Sequence, residues 1–227
     1  MGEIDPYDEL QRQMAAAQER FASEVEGATM TVVKDDGVHR HLYFKFPRAS
    51  WDWCEVVTWP GMLTLRGGLG CWSFTRVTDM FDLLRPSPGT KRIDPVYWAG
   101  TLVPGSGSEV KEYDADRART YVRQAVADAI EAHTHITAEY AEDWLFSDWC
   151  GADFGTEAAL MRTLGRFEAR VDADRPTSSF LSGATHEEFV FPVHDWDLYR
   201  YSHWFLLSCV VLPWAVEQYD AALVPVA

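Results

Sequence analysis

Between His39 and Arg76 apolar and polar residues alternate at a period of two, the pattern of half-buried β-strands. Met30 to Val33 and Val38 to Phe46 flank Asp35, Asp36 and Gly37, where Asp-Gly supplies the positive φ of a tight hairpin. In the second of these strands Leu42, Phe44 and Phe46 share one face, and His39, His41, Tyr43 and Lys45 share the other. The expectation is one core face and one face free for chemistry. Trp51 to Trp59 reads as a third strand, turned at Pro60 and Gly61 into Met62 to Arg66, because Pro then Gly is what a type II turn requires. Gly67, Gly68, Leu69 and Gly70 lead into a fifth strand, Cys71 to Arg76. Trp51, Trp53 and Trp59 fit either face, since the opposite parity holds Cys54 and Val56.

The period changes on either side of this block. Residues 5 to 26 carry Leu10, Met14, Ala17 and Phe21 at helical spacing, with Gly27 as a stop, and predict a packing or dimer-contact helix. After Thr78, the run Met80, Phe81, Leu83 and Leu84 predicts a short helix, and Asp94 with Pro95 an N-cap and first turn leading to Tyr97 and Trp98. Pro104 to Ser108 reads as a flexible loop that can serve as a lid or an insert. Helical patterns then cover Asp114 to about Asp143, Thr156 to Val171 and Asp197 to Ala222, the last with a kink expected at Pro213. A loop-rich crossing joins them over Asp172 to Val193. The predicted class is α+β, an N-terminal antiparallel β-meander packed against C-terminal helices. It is read as a single domain over 1–227, with the helix in 1–26, the meander in 27–77 and mainly helix in 78–227.

Charge divides the chain unevenly. The net value is −15, yet residues 27 to 92 hold 9 basic and 6 acidic side chains, whereas residues 93 to 227 hold 9 and 22. A field this acidic disfavours DNA and RNA, whose binding rests on neutralising many phosphates. A small anion needing two or three cations can still bind the positive strand block. Cys54, Cys71, Cys150 and Cys209 are widely spaced, which predicts reduced thiols and a cytoplasmic setting. The acidic N-terminus shows no secretory pattern, and the apolar run Trp204 to Val216, about 13 residues, falls short of the ~20 a membrane span needs. No membrane partner is expected.

Ten tryptophans call for either a large core or a binding surface. Tyr43, Trp51, Trp53 and Trp72 offer π-faces to a base, and His41, Lys45, Arg48, Arg66 and Arg76 offer charge to phosphate. Together they form the predicted ligand-binding set. The opposing reading makes the rings core and the cations a solvated face. A metal-dependent hydrolase is the next candidate, because His39 and His41 leave one strand face together, with His194, Asp195 and Asp197 as a second group. On the 114–143 helix Glu131, His135 and Glu139 line one side, but His133 and His135 diverge. A third reading takes Asp114, Asp116, Glu139, Glu142, Asp143, Asp148, Asp153 and Glu157 as an acidic protein-binding or nucleic-acid-mimicking surface. No H-E-x-x-H and no G-x-S-x-G occurs, and no cofactor is implied.

Val57, Thr58, Trp59, Pro60 and Gly61, then the glycine-rich turn, Asp94 to Ala99, Lys111 and Glu112, and finally Trp204, Cys209, Trp214, Gln218, Tyr219 and Asp220 together resemble a family of phage and prophage proteins. The resemblance spans about residues 38 to 220. The chain departs from it at Leu69, where the family has a polar residue, and over Pro213 to Val216, where the family has a Trp-Gly stretch. It implies action in the host cytoplasm and gives no reaction. By analogy with the habits of small phage proteins, it suggests a counter-defence factor that sequesters a nucleotide-derived signal without turning it over, as a homo-oligomer.

Overall fold

In the computed structural model the described residues are 6–85, 94–106, 109–132, 138–147, 151–165 and 190–223. The chain divides into two compact units, one formed by Met1–Lys111 with Tyr201–Ala227 and the other by Glu112–Arg200. The class is α+β: an N-terminal five-stranded antiparallel sheet followed by C-terminal helices.

The sheet of the first unit is a simple meander. Strands β1 (Thr29–Asp36), β2 (His39–Lys45), β3 (Trp53–Trp59), β4 (Met62–Gly67) and β5 (Gly70–Thr75) lie in sequence order, each antiparallel to the next. The predicted turns fall where their residues ask for them. At the Pro60-Gly61 turn Gly61 has φ 81°, and Trp59 pairs with Met62.

The third strand is shorter than its pattern, and the reason is local. Asp52 adopts φ 55°, the Asp52 amide donates to the Ala49 carbonyl (3.1 Å), and the Phe46 amide donates to the Asp52 carbonyl (2.6 Å). A left-handed residue between Trp51 and Trp53 breaks the alternation. The two rings therefore take different sides of the sheet.

Helix α1 (Pro6–Glu24) and helix α6 (His203–Leu223) cover the apolar face. Leu42, Phe44, Cys54, Val56, Leu63, Leu65, Trp72 and Phe74 bury there against Phe205, Leu206, Cys209 and Leu212 of α6 and Phe21 of α1. Trp214 packs 5.4 to 5.5 Å from the rings of Phe21, Phe44 and Phe46. Because α1 lies against α6 as well, α6 is buried around most of its circumference, which is why its sequence is apolar without a clear stripe. Pro213 is inside this helix. The expected N-cap at Asp94 is present: its carboxylate accepts from the Val96 amide (2.9 Å) at the start of α2 (Pro95–Ala99). Pro104 to Ser106 forms a turn, and the rest of that loop is outside the described residues.

The second unit contains α3 (Ala115–Ala132), α4 (Ala138–Phe146) and α5 (Glu157–Leu164), and most of a two-stranded sheet of β6 (Lys111–Tyr113) and β7 (Tyr199–Tyr201). The single helix expected from 114 to 143 is two helices that pack together through Val122, Val126, Ala141 and Leu145. The last helix begins at His203 and not at Asp197, because Tyr199–Tyr201 is paired as a strand. Residues 133–137 and 166–189, which hold His133, His135 and most of the predicted loop crossing, are outside the described residues. Among the described residues no helix is long and apolar enough to cross a membrane.

Candidate functional site

The uncovered face of the meander is the candidate site. Strand parity and register put Thr31, Tyr43, Glu55, Arg66 and Cys71 in one row across the five strands. The neighbouring rows hold Thr29, Lys45 and Trp53 on one side, and Lys34, His41, Val57, Thr64 and Ser73 on the other. Tyr43 and Trp53 are diagonal neighbours whose rings are nearly parallel, 19° apart with centroids 6.1 Å apart, and both are half-buried. Lys45 lies directly opposite Trp53 and is exposed. Val57, Met62 and Trp59 continue the apolar ground, the last 39% exposed.

Glu55 is the electrostatic centre of the face. Its Oε2 accepts from Arg66 Nε at 2.6 Å, with Arg66 Nη2 at the same distance. His41 Nε2 lies 3.5 Å from Oε1, too far for a hydrogen bond, and makes no other among the described residues. The centre of the face is thus a paired cation and carboxylate, with an imidazole from the neighbouring row close by.

Of the nine residues predicted for the ligand, five share this face: His41, Tyr43, Lys45, Trp53 and Arg66. Arg48 stands in the loop before β3 and is ion-paired with Glu26, both exposed. Arg76 follows the end of β5, exposed, with no ion pair among the described residues. Trp51 and Trp72 are core side chains at 3% and 1% exposure. The indole N–H of Trp51 donates to Glu24 (2.6 Å) and its ring meets Phe46 at 4.0 Å, while Trp72 donates to the Leu69 carbonyl (3.1 Å) and packs edge-on to Phe205. Their donors are used and their faces are covered, so neither ring belongs with Tyr43 and Trp53.

Glu55 is the residue that sequence reasoning passed over. It was within reach, because extending the hairpin from Pro60-Gly61 pairs position 55 with Arg66. A second polar centre, also unforeseen, lies on the core face. Arg40 is 7% exposed, and its Nη1 and Nη2 donate to the two Asp79 oxygens at 2.8 and 2.9 Å. Arg40 Nε donates to the Tyr219 hydroxyl (3.3 Å), which in turn donates to Asp35 (2.8 Å). Burial alone raises the Asp79 carboxyl; the bonds from Arg40 and from the Phe81 amide outweigh that and hold it below the usual carboxylate range. Burial likewise lowers Arg40, and its bonds to Asp79 and Tyr219 raise it above its ordinary value. Every strong donor here has a partner inside the protein, so this cluster ties β1, β2 and α6 together and leaves little for a ligand.

The metal reading finds less. Among the described residues no three His, Cys, Asp or Glu side chains are placed to share a metal ion. His194 pairs with Asp195 at 3.3 Å on an exposed turn of the second unit. In that unit the acidic groups are partly matched by arginines, as in Arg119–Asp116 (2.8 Å) and Arg200–Glu112 (3.0 Å). No protein-family model, curated protein or solved structure matches the chain.

Proposed function

We propose that the open face of the first unit's sheet binds a small, planar, anionic ligand of nucleotide type and holds it without chemical change. The observation that carries this reading is the parallel, half-exposed Tyr43–Trp53 pair with Lys45 directly opposite Trp53. A flat base stacks on such rings, and each stacking contact contributes about 1 to 3 kcal/mol. A cation hydrogen-bonded to phosphate adds about 1.5 to 3 kcal/mol. One face therefore supplies roughly 4 to 9 kcal/mol before ordering costs, whereas nanomolar capture needs about 12. The deficit follows from the structure: Trp51 and Trp72 are core, and Arg48 and Arg66 are already paired with carboxylates. Capture at nanomolar level then requires two faces, which a homo-oligomer provides. Such a sequestering role fits the resemblance to phage proteins and the counter-defence part it suggests.

The test is a thermal-shift screen of the whole chain against linear and cyclic di- and trinucleotides and ADP-ribose derivatives, followed by chromatography of each ligand. The expected result is a raised melting temperature with the ligand recovered intact, since a ligand at 100 times its Kd stabilises by about 2.7 kcal/mol. Trp53→Ala removes the shift. Recovery of a cleaved product makes the protein an enzyme, and the absence of any shift refutes the reading.

A further inference from the structure

Building on that reading, we infer that the face has a second anion subsite at Lys34 and His41, and that its ligand is a dinucleotide, with two phosphates set on either side of a stacked nucleoside. On the open side of β2 the residues in order are His41, Tyr43 and Lys45. Tyr43 therefore stands midway, with about 7 Å of strand on each side of it. Trp53 lies opposite Lys45 and stacks on Tyr43 from that end. Lys34 of β1 lies opposite His41 at the other end. A bulge in β1 puts it there. Thr31 opposes Tyr43, so an unbroken register would bring Val33 to His41; the extra residue between Val32 and Lys34 brings Lys34 instead, on the same face as Tyr43.

The two ends of the ring pair offer uncommitted charge. Lys34 and Lys45 are both exposed and neither has an ion pair among the described residues, whereas Arg66 is held by Glu55. Beside Lys34 the His41 side chain is 30% exposed, and its Nε2 has no hydrogen-bond partner among the described residues. Asp36 also comes to this side of β1, opposite His39, so Lys34 stands between that carboxylate and the rings. From His41 to Lys45 is four residues of strand, about 14 Å. While a base occupies the ring pair between them, one phosphate cannot meet both lysines, and neither can the adjacent phosphates of a diphosphate. A nucleoside with one phosphate on its 5′ side and another on its 3′ side meets both, and that is the repeat of a dinucleotide. Linear and cyclic dinucleotides share this chemistry.

The experiment is an NMR titration of the full chain with AMP, ADP, the linear dinucleotide pApA and cyclic di-AMP, repeated on Lys34→Ala, Lys45→Ala and Trp53→Ala. At least one dinucleotide is expected to bind about tenfold tighter than AMP, and which of the two does so separates the linear from the cyclic source. Lys34→Ala removes that gain and leaves AMP and ADP unchanged, whereas Lys45→Ala weakens every ligand by about tenfold. ADP is the control for charge, because its second phosphate sits beside the first at one end. Dinucleotides no tighter than AMP, a gain that survives Lys34→Ala, or a Lys34→Ala variant that loses AMP and ADP as much as the dinucleotides overturns the second subsite and leaves the binding face standing. Failure of every nucleotide to bind, or binding indifferent to Trp53→Ala, brings down the binding face and this inference with it.

Discussion

Removing the carboxylate of Asp79 tests the buried cluster that fastens the end of the sheet to α6. In Asp79→Ala the guanidinium of Arg40 stays buried over the Phe81 and Tyr219 rings with the Tyr219 hydroxyl as its one remaining hydrogen-bond partner among the described residues, and the Phe81 amide loses the acceptor that caps its turn. Breaking a buried pair from one side costs about 3 to 5 kcal/mol. Because the Asp79 side chain is 19% exposed against 8% for Arg40, water reaches the vacated space and the lower end, about 3 kcal/mol, applies. With an m-value of about 2 kcal/mol per molar urea, the midpoint of unfolding falls by about 1.5 M. The double variant Arg40→Met with Asp79→Leu removes both charges together and is expected to lose less than the sum of the singles, since apolar replacements of a buried pair are often neutral. The pH dependence has a definite sign. The folded carboxyl is held below its unfolded value of about 3.9, so its stabilisation is fully present above that pH and is lost as pH falls through the lower, folded value. The gap between wild type and Asp79→Ala is therefore constant near neutrality and closes only below about pH 4. A loss under about 1 kcal/mol, or a double variant as costly as the two singles added, refutes the account.

Two further outcomes come from the packing of the first unit. Gly67 has φ 141°, and a Cβ there would lie 2.4 Å from the Trp53 carbonyl oxygen, so Gly67→Ala is expected to cost more than about 2 kcal/mol in the same urea assay. Burial pushes the thiols of Cys54 and Cys209 far up, with the carboxylates of Glu55 and Asp94 adding to it, so neither reacts with a maleimide at pH 8 in the native protein, while exposed Cys71 does; peptide mapping reads which thiols carry the label.

The alternation of the meander made five strands, their turns and the two faces of β2 legible, because period two follows from the pleat alone. Local turns that break the period were not. The left-handed Asp52 shortens β3 and carries Trp51 to the core, and nothing in the alternation signals it. Trp72 was within reach: the glycine turn pairs it with Leu65, whose strand parity is apolar, and Phe74 two residues on confirms the side. Arg40 reads as a polar interruption of an apolar row because its partners, Asp79 and Tyr219, are 39 and 179 residues away along the chain. The same distance hides β7, whose partner strand precedes it by nearly ninety residues and which removes the first turn and more of the helix expected from Asp197. Site chemistry suffered from the same limit, since counting cations in the strand block does not show which of them already face a carboxylate.

Ion pairing separates an arginine and a lysine that look alike in sequence. Arg48 and Lys45 are three residues apart, both exposed and both in the positive block. Arg48 is already matched by Glu26 and stands in the loop before β3, whereas Lys45 is on the open face opposite Trp53 without an ion pair among the described residues. For an anionic ligand the free cation contributes and the paired one has to give up its partner first. For an exposed cation the contact to phosphate lies at the low end of its range, about 1.5 kcal/mol, or roughly tenfold in Kd. Lys45→Ala should therefore weaken binding of a phosphate-bearing ligand by about that factor, with the loss shrinking as salt is raised. Arg48→Ala should leave Kd unchanged. If the two substitutions weaken binding equally, proximity to the aromatic pair is not what organises the site, and the ligand is held by the net charge of the strand block alone.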